Sequence, residues 1–421
     1  MAKTLETQGV SLDTNPGTVS EPLSTKNSAL PDLDASKLTI QLTPNPKEVP
    51  AEGFNPSWRH DLTTDHMITC TWTDETGWQT PALVPYGPFQ IMPTASVLHY
   101  ATECFEGMKC YRGYDNKLRL FRPQLNAARM LMSSTRIALP PFNPEELVKL
   151  IYKLVATDGG KWLPKPGSFF YIRPTSIATH PALGVQKPRE ALLYVICCAF
   201  PTLDAKPMKL LASEGQAVRA WPGGWGYAKV GANYGPSLMA SDEAQKQGFN
   251  QILWLFGEEN YVTEAGASNF FVLWRNKETQ KLELITAPLT DKLILDGVTR
   301  RSVLELARER LTKAGAVEGL EEIEVVERKY TMDEVALAAE EGRLVEGFAA
   351  GTAFFVVAVS LVSYKGKDII FPNKGTNADG TGVYGGAIKK WLKDTMFGNE
   401  EGKKEWVMVI DEKDSAYNQQ Q

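Results

Sequence analysis

The spacing of apolar and polar positions changes several times along the 421-residue chain, and each change predicts an element. Residues 1–38 show no sustained period. They are rich in Ser, Thr, Pro, Asn and Gly with few aromatics, which predicts a flexible N-terminal tail or wrapping arm. From Leu38 to Leu98, short alternations such as MITCTW at 67–72 are broken by Pro and Gly, and LHYATECFEGMKCYRG and RLFRP continue the pattern of strands and turns. Two helical patterns follow. One runs from Leu125 to Leu139, opening after Pro123; the other runs from Pro144 to Ala156, with Leu147, Leu150, Ile151 and Leu154 on one face. FFYIRP and ALLYVICCAF return to strand patterning. Strands with helices between them predict an α/β (α+β) unit over residues 39–200.

PTLDAKP, residues 201–207, has a proline at each end and is the expected interdomain linker. A second, larger unit over 208–421 then begins with the strand MKLLAS. Its pattern predicts a helix at PSLMASDEAQKQG, strands at QILWLF and YVTEAGASNFFVLW joined by GEEN, and a helix at VTRRSVLELARERLTKAG. MDEVALAAEEG predicts a further helix and FFVVAVSLVSY a strand.

Composition removes whole classes of function. With 43% hydrophobic and 23% charged residues the chain is globular, and a formal charge of -5 offers no field for nucleic acid or an anionic membrane surface. Cys70, Cys104, Cys110, Cys197 and Cys198 form no C-x-x-C pair, which implies a reducing compartment. His60, His66, His99 and His180 lack metal-ligand spacing, so no metal centre is expected. No apolar run approaches the ~20 residues of a membrane helix. The first 50 residues contain acids and no Arg, unlike a mitochondrial presequence, so a cytoplasmic enzyme acting on small molecules is the expectation.

The segment RAWPGGWGYAKVGANYGP holds the most unusual residue. Lys229 is the only charge between Arg219 and Asp242, set among glycines and aromatics. Desolvation there would lower the amine pKa and suit Schiff-base chemistry, although a surface lysine on a glycine-rich loop would read the same way. A carbonyl cofactor such as pyridoxal phosphate also needs an acid at its ring nitrogen and an anion site. Glu264 in VTEAGASNFF is a carboxylate in an uncharged strand-like run, costly to bury unless a cation faces it, or else a solvated strand end. The turn LDGVTRR offers the N–H groups of Val298 and Thr299 at a helix start, and FAAGTAFF offers Thr352.

Together LHYATECFEGMKCYRG, RLFRP, FFYIRP, PALGV, RAWPGGWGYAKVGANYGP, VTEAGASNFF, LDGVTRR and AAGTA resemble, in order, the branched-chain aminotransferases, the fold-type IV class of pyridoxal-phosphate enzymes. The resemblance runs from about Leu98 to the C-terminal region. It implies a two-domain fold-type IV architecture, with a smaller N-terminal α/β domain and a larger C-terminal domain built on a pseudo-barrel of strands and helices. It also implies transfer of amino groups from L-leucine, L-isoleucine and L-valine to 2-oxoglutarate. Lys229 would carry pyridoxal 5'-phosphate and move the substrate proton, Tyr234 would serve the phenolate oxygen and Glu264 the ring nitrogen. Arg122, Val298, Thr299 and Thr352 would hold the phosphate. The resemblance places Tyr100 and Phe105 in an apolar substrate wall, the N–H groups of Thr352 and Ala353 on the α-carboxylate, and Arg173 on glutamate's distal carboxylate. Leu183 and Val185 would come from the partner subunit of a homodimer.

Departures lie at Ala265, Ala267 and Ser268, where the family commonly has Val, Thr and Met; a hydroxyl near the ring is missing at Ala267. Related fold-type IV enzymes share the lysine and the glutamate. D-amino-acid and R-amine aminotransferases, aminodeoxychorismate lyase, a specialised secondary-metabolism aminotransferase and a non-catalytic paralogue are therefore the alternative readings.

Overall fold

The computed structural model describes residues 30–49, 61–200, 206–213, 217–353, 355–375 and 377–419. The expected tail up to residue 29, the linker at 201–205 and His60 lie outside them. The alternation at 67–72 forms the strand His66–Thr73, which pairs antiparallel with Glu190–Ala199. From there the first sheet runs through Phe169–Ala178 and Met108–Arg112 to Leu118–Phe121. Each of the two predicted helices starts with proline, whose fixed φ and missing N–H suit a first turn. The first spans Pro123–Arg136. The second continues beyond Ala156 to Trp162, because Asp158 is buried and its carboxylate accepts the backbone N–H of His66 and binds Nδ1 at 2.7 Å. One expected strand segment is helical instead: Val97–Tyr100 forms a single turn that ends at Ala101 with φ 49°.

The second sheet closes on itself. Tyr261–Ala265, Gln251–Phe256, Met208–Ala212, Phe355–Tyr364, Leu344–Gly351 and Ser268–Arg275 pair in turn, and the last returns to the first. Period-two alternation sorts its side chains. Phe270, Val272 and Trp274 belong to one buried cluster, while Phe271 and Leu273 join a second cluster with the helices Val298–Arg310 and Val383–Phe397. The stretch expected as one strand at 261–274 is a hairpin, turned at Gly266 with φ +58°, so that Glu264 faces Asn269. Glycine makes that turn without Cβ strain.

The assignment of everything after Met208 to the second unit does not hold. Val407–Ile410 pairs antiparallel with Leu118–Phe121 in the first sheet, and Glu412 accepts from both Nη atoms of Arg112 at 2.6 and 3.0 Å. That partner strand is some 290 residues away, beyond any local pattern. No described helix is long and apolar enough to cross a membrane. All five cysteines are buried free thiols.

Candidate active site

A cavity of about 330 Å³ lies where the two sheets meet, within the size range of small-ligand sites. An apolar groove of about 460 Å³ beneath Trp72, Trp78 and Phe142 is larger, so chemistry rather than volume identifies the site.

Lys229 stands in the loop between the strands Met208–Ala212 and Gln251–Phe256, and its backbone is tied to the first unit. Its N–H donates to Ser133 Oγ at 2.8 Å and its carbonyl accepts from Phe105 N–H at 3.0 Å. The side chain crosses the Phe105 ring at 4.9 Å and places Nζ 3.1 Å from Tyr234 Oη. Phe105 and Tyr234 pack with ring centroids 5.2 Å apart. The amine is therefore fixed at one edge of a half-apolar chamber, as a nucleophile or proton carrier must be.

Glu264 closes the floor. It is 1% exposed, and burial raises its pKa despite the opposing charge of Arg219. Oε1 accepts from Leu295 N–H at 3.2 Å and from Asn269 Nδ2 at 3.3 Å. Oε2 lies 2.7 Å from Arg219 Nη1 without hydrogen-bond geometry, and both atoms remain without a hydrogen-bond partner. Of the two readings of Glu264, the solvated strand end does not hold, and the cation that faces the buried carboxylate is a protein residue, Arg219. Arg219 is 45 residues away in sequence and appeared there only as the edge of a charge-free window.

Arg122 is a second correction. It does not line the cavity: its guanidinium donates to Ser302 Oγ at 2.9 Å, pairs with Glu305 at 2.9 Å and covers the Trp406 ring at 4.3 Å. It precedes Pro123 with φ +47°, and the chain there directs it away from the chamber. Arg129, two turns along the helix, lines the cavity instead. Glu106 grips Arg129 through both oxygens at 2.6 and 2.8 Å, and Arg129 Nη1 donates to the Asp296 carbonyl at 2.8 Å. The anchor is itself anchored, since Asn126 Nδ2 donates to Glu106 at 2.8 Å.

Beside Arg129, the helix Val298–Arg310 presents its N-terminus. Gly297 caps it without a side-chain bond, and a Cβ there would lie 2.2 Å from Asn269 Oδ1. Val298 and Thr299 line the cavity, and first-turn N–H groups have no intrahelical acceptor. Thr352 and Ala353 line it from the turn after Leu344–Gly351. Arg173 also faces the chamber, and among the described residues no carboxylate lies within ion-pair distance of it. Its guanidinium packs over Phe105 at 4.7 Å and Tyr171 at 5.1 Å. Gly107 admits this packing, because a Cβ there would lie 1.7 Å from Tyr171 Oη.

Tyr100, Leu183 and Val185 do not line this cavity. They are exposed, Val185 to 87%, and Tyr100 Oη donates to the Leu183 carbonyl. Sequence reading missed Arg129, Glu106, Arg219 and Asn269. The signal for Arg129 was an arginine among Asn126, Met130 and Ser133 on the face of its helix that the fold buries.

Three features fit pyridoxal phosphate: a positioned amine, a buried carboxylate oxygen with no hydrogen-bond donor, and an anion cradle of guanidinium and helix N-terminus. Fold and site together define an aminotransferase, and residues 103–362 match the model of the family described as amino-transferase class IV. The chain belongs to this pyridoxal-phosphate-dependent class and, within it, to the branched-chain-amino-acid aminotransferases. It is 46% identical to the mitochondrial branched-chain-amino-acid aminotransferase of Schizosaccharomyces pombe, over 82% of this chain and 80% of that protein. It is 42% identical to the cytosolic one of Saccharomyces cerevisiae, over 88% and 96%. The branched-chain aminotransferase structure from Thermoproteus uzoniensis shares the fold with a TM-score of 0.63 at 23% identity, covering 81% of this chain and 99% of that one.

Proposed function

We propose that this chain transfers the amino group of L-leucine, L-isoleucine or L-valine to 2-oxoglutarate, working as a homodimer with the following division of labour. The observation that carries the reading is that Lys229, Tyr234 and Glu264 line one cavity, with Nζ 3.1 Å from Tyr234 Oη and one Glu264 oxygen at the floor without a hydrogen-bond partner. Lys229 would hold pyridoxal phosphate until the substrate's amino group displaces the lysine and frees Nζ, and the cofactor would then supply an electron sink for the carbon that carries the amino group. Lys229 Nζ takes the proton from the substrate's α-carbon and returns one on the other side of the transfer. Tyr234 Oη holds Nζ in line and donates to the cofactor's phenolate oxygen. Glu264 would keep the ring nitrogen protonated, and the charge of Arg219 opposes the rise in the Glu264 pKa that burial causes. Arg129, the N–H groups of Val298 and Thr299, and Thr352 hold the phosphate.

Phe105 and Tyr171 give the branched side chain an apolar wall. Arg173, without a carboxylate partner among the described residues, receives glutamate's distal carboxylate in the second half-reaction, and the Thr352 and Ala353 N–H groups receive the α-carboxylate. Leu98, Tyr100, Leu183 and Val185 form an exposed apolar surface tied together by the Tyr100 to Leu183 bond. This surface docks on a second copy and completes the partner's cavity, Tyr100 included. A cytosolic location belongs to the same reading, supported by the five free thiols. The relatives carry cytosolic and mitochondrial names alike.

Glutamate formation from each branched-chain L-amino acid with 2-oxoglutarate, with D-leucine as control, tests the activity. Turnover confined to D-leucine would assign the chain to a different stereochemical group, and a monomer in analytical ultracentrifugation would refute the shared cavity.

A further inference from the structure

Lys109 lies on the strand Met108–Arg112, two residues after Gly107, and is 2% exposed without lining the cavity. Its ammonium donates to the Ala353 carbonyl at 2.8 Å and sits over the rings of Phe169 at 4.0 Å and Phe355 at 4.4 Å. Among the described residues no carboxylate lies within ion-pair distance of it. Burial pushes Lys109 down to about 7. An ammonium buried against a carbonyl and two rings is a costly way to fill space, since an apolar side chain of similar length would avoid the desolvation.

What the amine holds explains its presence. Gly351 and Phe355 face each other across an antiparallel pair, so Thr352 and Ala353 lie in the tight turn between them. The turn is backed by Ser268, whose Oγ would lie 2.7 Å from a Cβ on Gly351. It belongs to the second sheet, whereas Lys109 belongs to the first, 244 residues away in sequence. The bond therefore ties the cavity-lining turn to the opposite wall.

We propose that Lys109 is a positioning residue for substrate binding: by fixing the Ala353 carbonyl from the opposite sheet, it sets the turn whose N–H groups receive the substrate's α-carboxylate. The inference rests on the carboxylate placement proposed above. Tethering the Ala353 carbonyl restricts rotation of the backbone next to Thr352 and Ala353, so the donors are aimed before substrate arrives. Lys109 touches neither substrate nor cofactor. Its loss should appear in the binding of every amino-acid substrate alike, and not in the side-chain preference set by Phe105 and Arg173.

The test is calorimetric titration of the holoenzyme with 4-methylpentanoate, a branched carboxylate without the amino group, alongside steady-state kinetics. Lys109→Met should weaken binding ~10-fold, while Lys109→Gln, whose amide can still donate to the carbonyl, should stay within ~3-fold of the native protein. KM for L-leucine and L-glutamate should rise together in the Met variant, with kcat within ~2-fold. Its Tm should not fall, because a buried ammonium has been removed. Native-like binding in Lys109→Met overturns the proposal, as does equal loss in the Met and Gln variants, which would assign the effect to charge. A fall in Tm of more than ~10 °C together with the KM change would make Lys109 merely structural. Failure of the unmodified holoenzyme to bind 4-methylpentanoate would sink the substrate reading itself.

Discussion

Glu106 and Glu264 are both buried, both belong to the catalytic cavity's surroundings and both face an arginine, yet they are held in opposite ways. Glu106 meets Arg129 through two hydrogen bonds and takes two more donors from Asn126 and its neighbour Gly107. Burial alone would raise its pKa, but Arg129 holds it below the usual carboxylate range. Glu264 meets Arg219 at ion-pair distance without a hydrogen bond, and burial wins, leaving its pKa above the usual range. A satisfied pair is a fixed part of the wall. An unsatisfied one keeps binding capacity in reserve, and the geometry of the second oxygen decides which of the two a buried carboxylate is.

The largest expected effect of breaking this contrast is on turnover. Glu264→Gln should lower kcat by ~10³ with cofactor still bound, because an amide cannot hold the ring nitrogen protonated. Unchanged kcat would refute the assigned role. Glu106→Gln should act first on the fold, costing about 3–5 kcal/mol, since it strands the Arg129 charge. The sign of the pH dependence follows from the depressed pKa. The stability Glu106 contributes is complete above its unfolded value of ~4.3 and is lost as pH falls through the folded value. The Gln variant should lack that acid limb in urea-unfolding midpoints measured from pH 3 to 7. Arg173→Ala should raise KM for glutamate and 2-oxoglutarate ~30-fold and for leucine far less, because only the acidic substrate loses a charge-assisted contact. An equal rise for both would make Arg173 structural. Arg122→Ala is the smallest, with kcat/KM within ~2-fold and about 1 kcal/mol or less of stability, as for a partly exposed ion pair. A loss of cofactor affinity there would return Arg122 to the phosphate.

These contrasts also show how far the sequence could be read. Lys229 and Glu264 stood out because each lies in a short run whose composition is odd for a surface, and local oddness survives without coordinates, whereas Tyr234 came only with the family resemblance. The strands and helices were legible where one face is apolar at a regular period, as in the helix beginning at Pro144. Helix ends and pairings were not. The extension to Trp162 depends on the Asp158 contact with His66, and the return of Val407–Ile410 to the first sheet depends on a strand far earlier in the chain. The two arginines of RLFRPQLNAARM illustrate the same limit. Arg122 carried the motif and Arg129 lines the cavity, and what separates them is their partners: Ser302, Glu305 and Trp406 hold the first away from the chamber, and Glu106 holds the second beside it. Arg219 needed a partner 45 residues away.

The central claim is that Lys229 carries the cofactor in a cavity that accepts a branched L-amino acid, and the absorbance spectrum of the purified protein tests it most directly. A visible band from the bound cofactor should shift to the pyridoxamine form on adding L-leucine and should not shift with D-leucine. A band absent even after adding pyridoxal phosphate, or one that Lys229→Ala leaves unaltered in position and in its response to L-leucine, would contradict the account.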